Sequence, residues 1–271
     1  MSSQAQLLQH LCTLDKSSPE FSRSLYAFIR LDEKGEYSRS LQRSDSARLV
    51  DFLDGALDAI PVTDPLFRRC LRRLRLICAH HNVLPSSHIV REGLRKTSDN
   101  PVAFGGFADV WEGKYEGRKV CVKALRVHNP NTSTDNALAP FYGEAVVWKR
   151  LSHPNVVQFL GVTTTPLQIV LEWMPNGTLT AHTINSSPQV DRLSLLLDVA
   201  EGVNYLHTCH VLHGDLKGPN ILIDGHGHAR VSDFGLAPIV QGVHRESSFS
   251  PCDLYGGFLQ NHDRRTTPSS V

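Results

Sequence analysis

The stretch His213-Gly214-Asp215-Leu216-Lys217-Gly218-Pro219-Asn220, followed by Asp233-Phe234-Gly235, decides how the rest of this 271-residue chain is read. Apolar Val211-Leu212 leads into a polar loop that carries an acid, a base and an amide. Asn220 opens onto Ile221-Leu222-Ile223, Asp224-Gly225-His226-Gly227 is turn chemistry, and Ala229-Arg230-Val231 can return antiparallel. Such a hairpin brings Asp233 back beside Asn220. One carboxylate and one amide oxygen are hard ligands, and they suit a Mg²⁺ ion that takes its remaining ligands from water and phosphate. An Asp/Asn/Gly-rich turn between strands needs no chemistry, and a lone Asp-Phe-Gly says little. The loop, the hairpin and the triplet in that order say much more.

The spacing from Asp215 to Asn220 fits H-x-D-x-x-x-x-N, and the whole segment resembles the catalytic loop and metal-binding triplet of protein kinases. The resemblance implies that Asp215 accepts or orients the proton of an attacking hydroxyl. It implies that Lys217 neutralises charge on a transferred phosphoryl group, and that Asn220 and Asp233 hold Mg²⁺. Gly214 stands where many kinases have arginine, so the usual counter-charge for a phosphorylated activation loop is absent at that position.

Upstream segments extend the resemblance. Ala103-Phe104-Gly105-Gly106-Phe107-Ala108-Asp109-Val110 is similar to the glycine-rich loop G-x-G-x-x-G-x-V, with Ala103 and Ala108 replacing the first and third glycines and Gly105 keeping the second. Glycine lets backbone approach phosphates, so a loop with two alanines is expected to close less tightly. Val120-Cys121-Val122-Lys123 matches the family's V-A-I-K strand, which assigns Lys123 to the α- and β-phosphates of ATP. Glu144, Val147, Trp148 and Leu151 share one helical face, and Glu144 falls where the family places the carboxylate that orients the lysine. Gly143 weakens that helix for no reason visible in the sequence. Residues 156–162 and 167–171 read as strands, and Glu172-Trp173-Met174-Pro175-Asn176-Gly177 as the hinge. By resemblance, Glu172 and Met174 meet the adenine edge and Leu171 is the gatekeeper behind it. In overall phrasing the match is to the tyrosine kinase-like group of serine/threonine kinases.

The expected fold is α+β and protein kinase-like. A complete N-lobe, an antiparallel sheet plus one helix, spans about 101–175, and a partial C-lobe spans 176–240. An α-helical extension over 1–95 precedes the kinase domain of 96–240, and 241–271, rich in Ser, Gly, Arg, Asp and His, reads as a disordered tail. Leu196, Val199, Ala200, Val203 and Leu206 recur on one face of a helix over 193–206. After Ala237 no A-P-E and no closing helices are found, so the chain reads as truncated after its Asp-Phe-Gly motif and that helix as bare. The expected function is transfer of the ATP γ-phosphoryl group to protein Ser/Thr, impaired by the missing activation segment. The alternative is an inactive ATP-binding or scaffold fragment that acts through its N-terminal helices or its exposed C-lobe helix.

In the first third, Leu49, Val50, Leu53, Ala56, Leu57 and Ile60 recur at helical spacing behind a Ser44-Asp45 cap, and Pro61 stops the run. Asp64-Pro65 starts another helix with Leu66, Phe67, Cys70, Leu71, Leu74 and Ile77 on one face. Its other face carries Arg68, Arg69, Arg72, Arg73 and Arg75, read as a solvated stripe with acidic neighbours such as Asp51, Asp54 and Asp58 rather than as an anion-binding patch. A third amphipathic helix covers 21–31, and polar 86–100 reads as a linker. With 28 Lys+Arg against 27 Asp+Glu, nothing pulls the chain toward nucleic acid or membrane. Six cysteines without a C-x-x-C pair, no secretory leader and no apolar run of transmembrane length point to a reduced, cytoplasmic protein. The histidines of 207–228 match no zinc spacing.

Overall fold

The computed structural model describes residues 3–104, 108–125, 134–185, 191–209 and 211–234. Helices fill the first part: α1 (Ser3–Leu11), α2 (Pro19–Leu31), α3 (Glu36–Ser40), α4 (Arg43–Leu57) and α5 (Pro65–His81). Local chemistry sets their ends. Ser18 accepts the Phe21 N–H ahead of Pro19. Asp64 accepts the Leu66 N–H at 2.8 Å, Pro65 takes the first turn of α5, and Asn82 closes it in the left-handed region. The expected Ser44-Asp45 cap is not used, because α4 begins at Arg43 and Gln42 makes no side-chain capping bond. The apolar faces meet as their spacing requires. Leu49, Val50, Leu53, Ala56 and Leu57 of α4 and Leu66, Phe67, Cys70, Leu74 and Ile77 of α5 are all buried.

Two sequence expectations fail here for tertiary reasons. The arginine stripe of α5 is not uniformly solvated. Arg73 is buried, with its guanidinium 3.6 Å from Asp32 and donating to the Glu33 carbonyl at 2.8 Å, and Arg75 pairs with Glu144. Arg68, Arg69 and Arg72 remain exposed. The acids expected beside them have other partners: Asp51 accepts the Ser86 N–H, while Asp54 and Asp58 take Arg150. Nor is 86–100 a plain linker. His88 and Val90 are buried, and Val90 donates its N–H to Val162 at 2.8 Å, laying the segment along the sheet. Exposed Ser86 and Ser87 are tied to α4 through the Ser86 N–H–Asp51 and Ser87 hydroxyl–Asp54 hydrogen bonds.

The sheet is antiparallel. Its main path runs β1 (Arg95–Lys96), β3 (Ala108–Tyr115), β4 (Arg118–Leu125), β6 (Leu167–Glu172), β5 (Phe159–Thr164), with β2 (Ala103–Phe104) also paired to β3. Helix α6 (Thr134–Trp148) covers one face. There Phe141, Ala145 and Trp148 join Phe159, Val162 and Ile169 in a core that continues without a break into α4 and α5. On the other face Val90, Val120, Val122 and Val170 form a smaller cluster. Beyond the sheet come α7 (Leu179–Asn185), α8 (Arg192–Thr208) and a hairpin of β7 (Ile221–Ile223) and β8 (Ala229–Val231), paired Ile221↔Val231 through Ile223↔Ala229 as expected. Helix α8 lies close on the hairpin. Its Asp198 accepts the Ala229 N–H at 2.9 Å, and a Cβ on Gly202 would come within 2.4 Å of the Asn155 carbonyl. The mixed α+β architecture expected from the sequence is the one present, with α7, α8 and the hairpin as the described part of the second lobe. Residues 235–271, read as the end of the domain and a tail, lie outside the described residues.

Candidate active site

Strand β4 carries Lys123 opposite Val110 on one side and Ile169 on the other. Its ammonium is nearly covered and ion-pairs with Asp233, which follows β8. Asp233 sits at φ 61, a left-handed backbone that swings its carboxylate out of the strand line. Ser232, one residue earlier, donates its N–H to the Asn220 carbonyl at 2.9 Å, so the hairpin sets Asp233 beside Asn220 as its turn chemistry predicts.

Asn220 is buried, and its amide nitrogen donates to the Asp215 carbonyl at 2.8 Å and to the Asp215 carboxylate at 3.1 Å. The amide oxygen is thus the atom left to face a cation. Lys217 reaches the same Asp215 carboxylate at 2.6 Å. That hydrogen bond, with the Asn220 amide adding to it, holds the Asp215 carboxyl below the usual carboxylate range and keeps it ionised. Gly214 adopts φ 78, a turn that favours glycine and brings Asp215 around His213. His213 was not among the predicted site residues, yet it is buried against the edge of Phe234 and accepts the Asp215 N–H at 3.3 Å. Burial pushes its pKa down, so it packs as a neutral ring. Its place directly ahead of the loop was the available sequence signal.

The remaining candidates divide. Ala103 pairs with Val110 across β2 and β3, and Ala108 opens β3; Gly105 and Gly106 lie outside the described residues. Leu171, Lys123, Trp148, Phe159 and Phe234 are among the residues that line one pocket beside the lysine. Strand β6 ends at Glu172, and the buried Met174 lies past it, where the backbone has left the ladder. The Glu172 side chain meets Arg230 at 3.0 Å, and Arg230 in turn meets Asp224 at 3.0 Å, fastening the end of β6 to the hairpin. Neither arginine contact was expected.

One expected pair is not formed. The sequence reading joins Lys123 to Glu144, but Glu144 is held by Arg75 of α5 and Lys123 by Asp233. The reason is tertiary: α5 lies directly on α6 and supplies a guanidinium that sequence distance hides.

Comparison with known proteins bears on this geometry. Residues 97–252 match the protein tyrosine and serine/threonine kinase family.

The chain belongs to that family.

This kinase is 37% identical over 153 residues to the probable serine/threonine-protein kinase SIS8 of Arabidopsis thaliana, covering 54% of the chain and 15% of that relative. It is 36% identical over 173 residues to the probable serine/threonine-protein kinase drkA of Dictyostelium discoideum, covering 61% of the chain and 26% of drkA. With the serine/threonine-protein kinase CTR1 of A. thaliana it shares 33% over 190 residues, 67% of the chain and 22% of CTR1. The kinase therefore spans about a quarter or less of the length of these relatives. Membership implies ATP and a divalent metal as companions of the site. The donor set fits: a carboxylate and an amide oxygen are hard ligands, and the Asp233 carboxylate has lone pairs to spare beyond Lys123. Among the described residues no helix is long and apolar enough to cross a membrane.

Proposed function

We propose that this kinase transfers the γ-phosphoryl group of Mg-ATP to Ser or Thr hydroxyls of a protein substrate. One observation supports the reading above all: Lys123 from β4 and Asp233 from beyond β8 meet across the gap between sheet and hairpin, with Asp215, Lys217 and Asn220 hydrogen-bonded beside them. In the reaction a substrate oxygen bonds to the γ-phosphorus, the bond from that phosphorus to the β,γ-bridging oxygen breaks, ADP leaves, and the hydroxyl proton passes to Asp215. Lys217 offsets charge on the transferred group, and Lys123 exchanges Asp233 for the α- and β-phosphates. Asn220 and Asp233 would hold Mg²⁺, which when bound neutralises phosphate charge. The backbone of Glu172 and Met174 would meet the adenine edge with Leu171 behind it, and residues 103–110 would cover the phosphates. A helical extension to about residue 95 and a kinase domain from 96 is the division this reading uses. A reducing, cytoplasmic setting is consistent with the free thiols Cys12, Cys70, Cys78, Cys121 and Cys209.

A second reading, a nucleotide-holding interaction module without turnover, is favoured by the engagement of Glu144 with Arg75. Phosphoryl transfer from labelled ATP to a generic protein substrate separates the two. The wild-type chain should exceed Asp215→Asn and Lys123→Met by at least about 100-fold. A wild-type signal equal to that of both variants, with Mg-ATP still raising Tm, would leave the module reading.

A further inference from the structure

The open side of α5 carries arginine without acid. Arg68 and Arg72 are exposed one turn apart, and Leu76, 52% exposed, continues the same row. Arg75 on one flank of that row is taken by Glu144 of α6, and Arg73 on the other by Asp32. Asp51, Asp54 and Asp58, the carboxylates a solvated stripe would draw on, serve Ser86 and Arg150 instead. Among the described residues no carboxylate ion-pairs with Arg68, Arg69 or Arg72. Glu33 and Glu36, exposed in the turn after α2 and at the start of α3, pair with none of them either. Arg69 is steered by stacking: its guanidinium lies over the Tyr26 ring of α2, 5.3 Å from the centroid. Arg23 and Arg30 share the exposed side of α2 with Tyr26. Burial lowers the pKa of Arg73, Asp32 opposes that, and the charges of Arg39 and Arg72 add to it, so positive charge is concentrated here. The chain as a whole is nearly balanced, with 28 Lys+Arg against 27 Asp+Glu.

We propose that this face of α5, with the flank of α2 beside it, docks an extended acidic segment of a partner protein. The cation type favours a peptide over a diffuse anionic surface. Helix α5 holds five arginines and no lysine. Either cation would serve a bilayer, whereas the planar guanidinium grips a carboxylate through two parallel hydrogen bonds. The spacing favours an extended chain. Four residues of helix rise about 6 Å, and alternate residues of a strand lie about 6.6 Å apart. Arg68 and Arg72 therefore match two acids separated by one residue, and Leu76 matches an apolar side chain two positions further on. Arg69, held by Tyr26, offers a third guanidinium beside the row. No two acids of this sequence stand two positions apart, so the occupant is not a segment of it. The surface stands apart from the site at Lys123 and Asp215, and binding alone reads it.

Fluorescence anisotropy of a labelled peptide with the full-length chain, at about 150 mM salt, tests this. The probe alternates glutamate with glycine and closes on leucine; its control has the same composition with the glutamates in one run. The alternating peptide should bind saturably and the control about fivefold or more weaker. Arg68→Gln with Arg72→Gln should weaken the alternating peptide about tenfold or more. Arg68→Lys with Arg72→Lys keeps the charge and should still cost about threefold or more. Arg91→Gln, exposed outside the helix, should change nothing. All these side chains are exposed, so Tm should stay at the wild-type value throughout. Equal binding of the two peptides, or wild-type binding by the lysine pair, would overturn the inference, because charge alone would then account for it. Failure of the peptide while the chain sediments with phosphatidylserine vesicles through the same arginines would overturn it in favour of a membrane face.

Discussion

A single methyl group distinguishes tolerable from intolerable at Gly202. Its Cβ would lie 2.4 Å from the Asn155 carbonyl, a backbone atom that cannot step aside, and 3.0 Å from Val231. Gly202→Ala should therefore destabilise the fold by about 1–3 kcal/mol, read as a lower urea midpoint with unchanged slope. Asp215 is the opposite case, a residue whose loss should be felt in chemistry and not in stability. Its carboxylate is half open to solvent, so Asp215→Asn should leave Tm and nucleotide affinity near wild type while transfer falls by about 100-fold or more. Asp215, Lys217, Asn220 and Asp233 were legible in the sequence because each lies within a short motif whose spacing is its geometry. Arg75 and Arg230 were not, because their partners Glu144 and Glu172 stand 69 and 58 positions away along the chain. Gly143 was visible as an oddity only, and a Cβ there would meet α5 at ordinary contact distances of 3.4 and 3.6 Å, so nothing in the structure calls for glycine.

Elements follow the same division between local and distant causes. The β7–β8 hairpin and the start of α5 were readable, since turn residues, a cap and a first-turn proline act on their immediate neighbours. The segment after α5 was misread because its burial depends on β5 and α4. It contains His88, which is buried with Nδ1 2.9 Å from the Ser87 hydroxyl and 3.9 Å from Asp54, and has Lys149 and Arg150 nearby. Burial lowers its pKa from the ordinary 6.5 to about 4, against the pull of Asp54. A histidine held neutral when folded binds its proton more readily when unfolded. Its contribution is therefore complete above pH 6.5 and is lost as pH falls toward about 4. Urea midpoints should drop between pH 7.5 and 5.5, and His88→Asn should flatten that part of the slope.

At the scale of the whole molecule, one buried core runs from Phe21 and Phe28 of α2 through α5 and α6 to Val231 and Phe234. Helical extension and sheet should then unfold together. Calorimetry should record one transition whose van't Hoff and calorimetric enthalpies agree, whereas two separated peaks would mean independent units. The sequence indicated helices first and sheet second but could not say that they share an interior, because amphipathic faces do not name their partners. Away from that interior, Leu193, Leu196 and Leu197 of α8 are 68%, 63% and 58% exposed. Water meets three branched hydrocarbon groups within five residues there, which makes the second lobe adhesive. Solutions of the chain should scatter more light per molecule as concentration climbs, and a mild detergent or the triple change to glutamine should clear them.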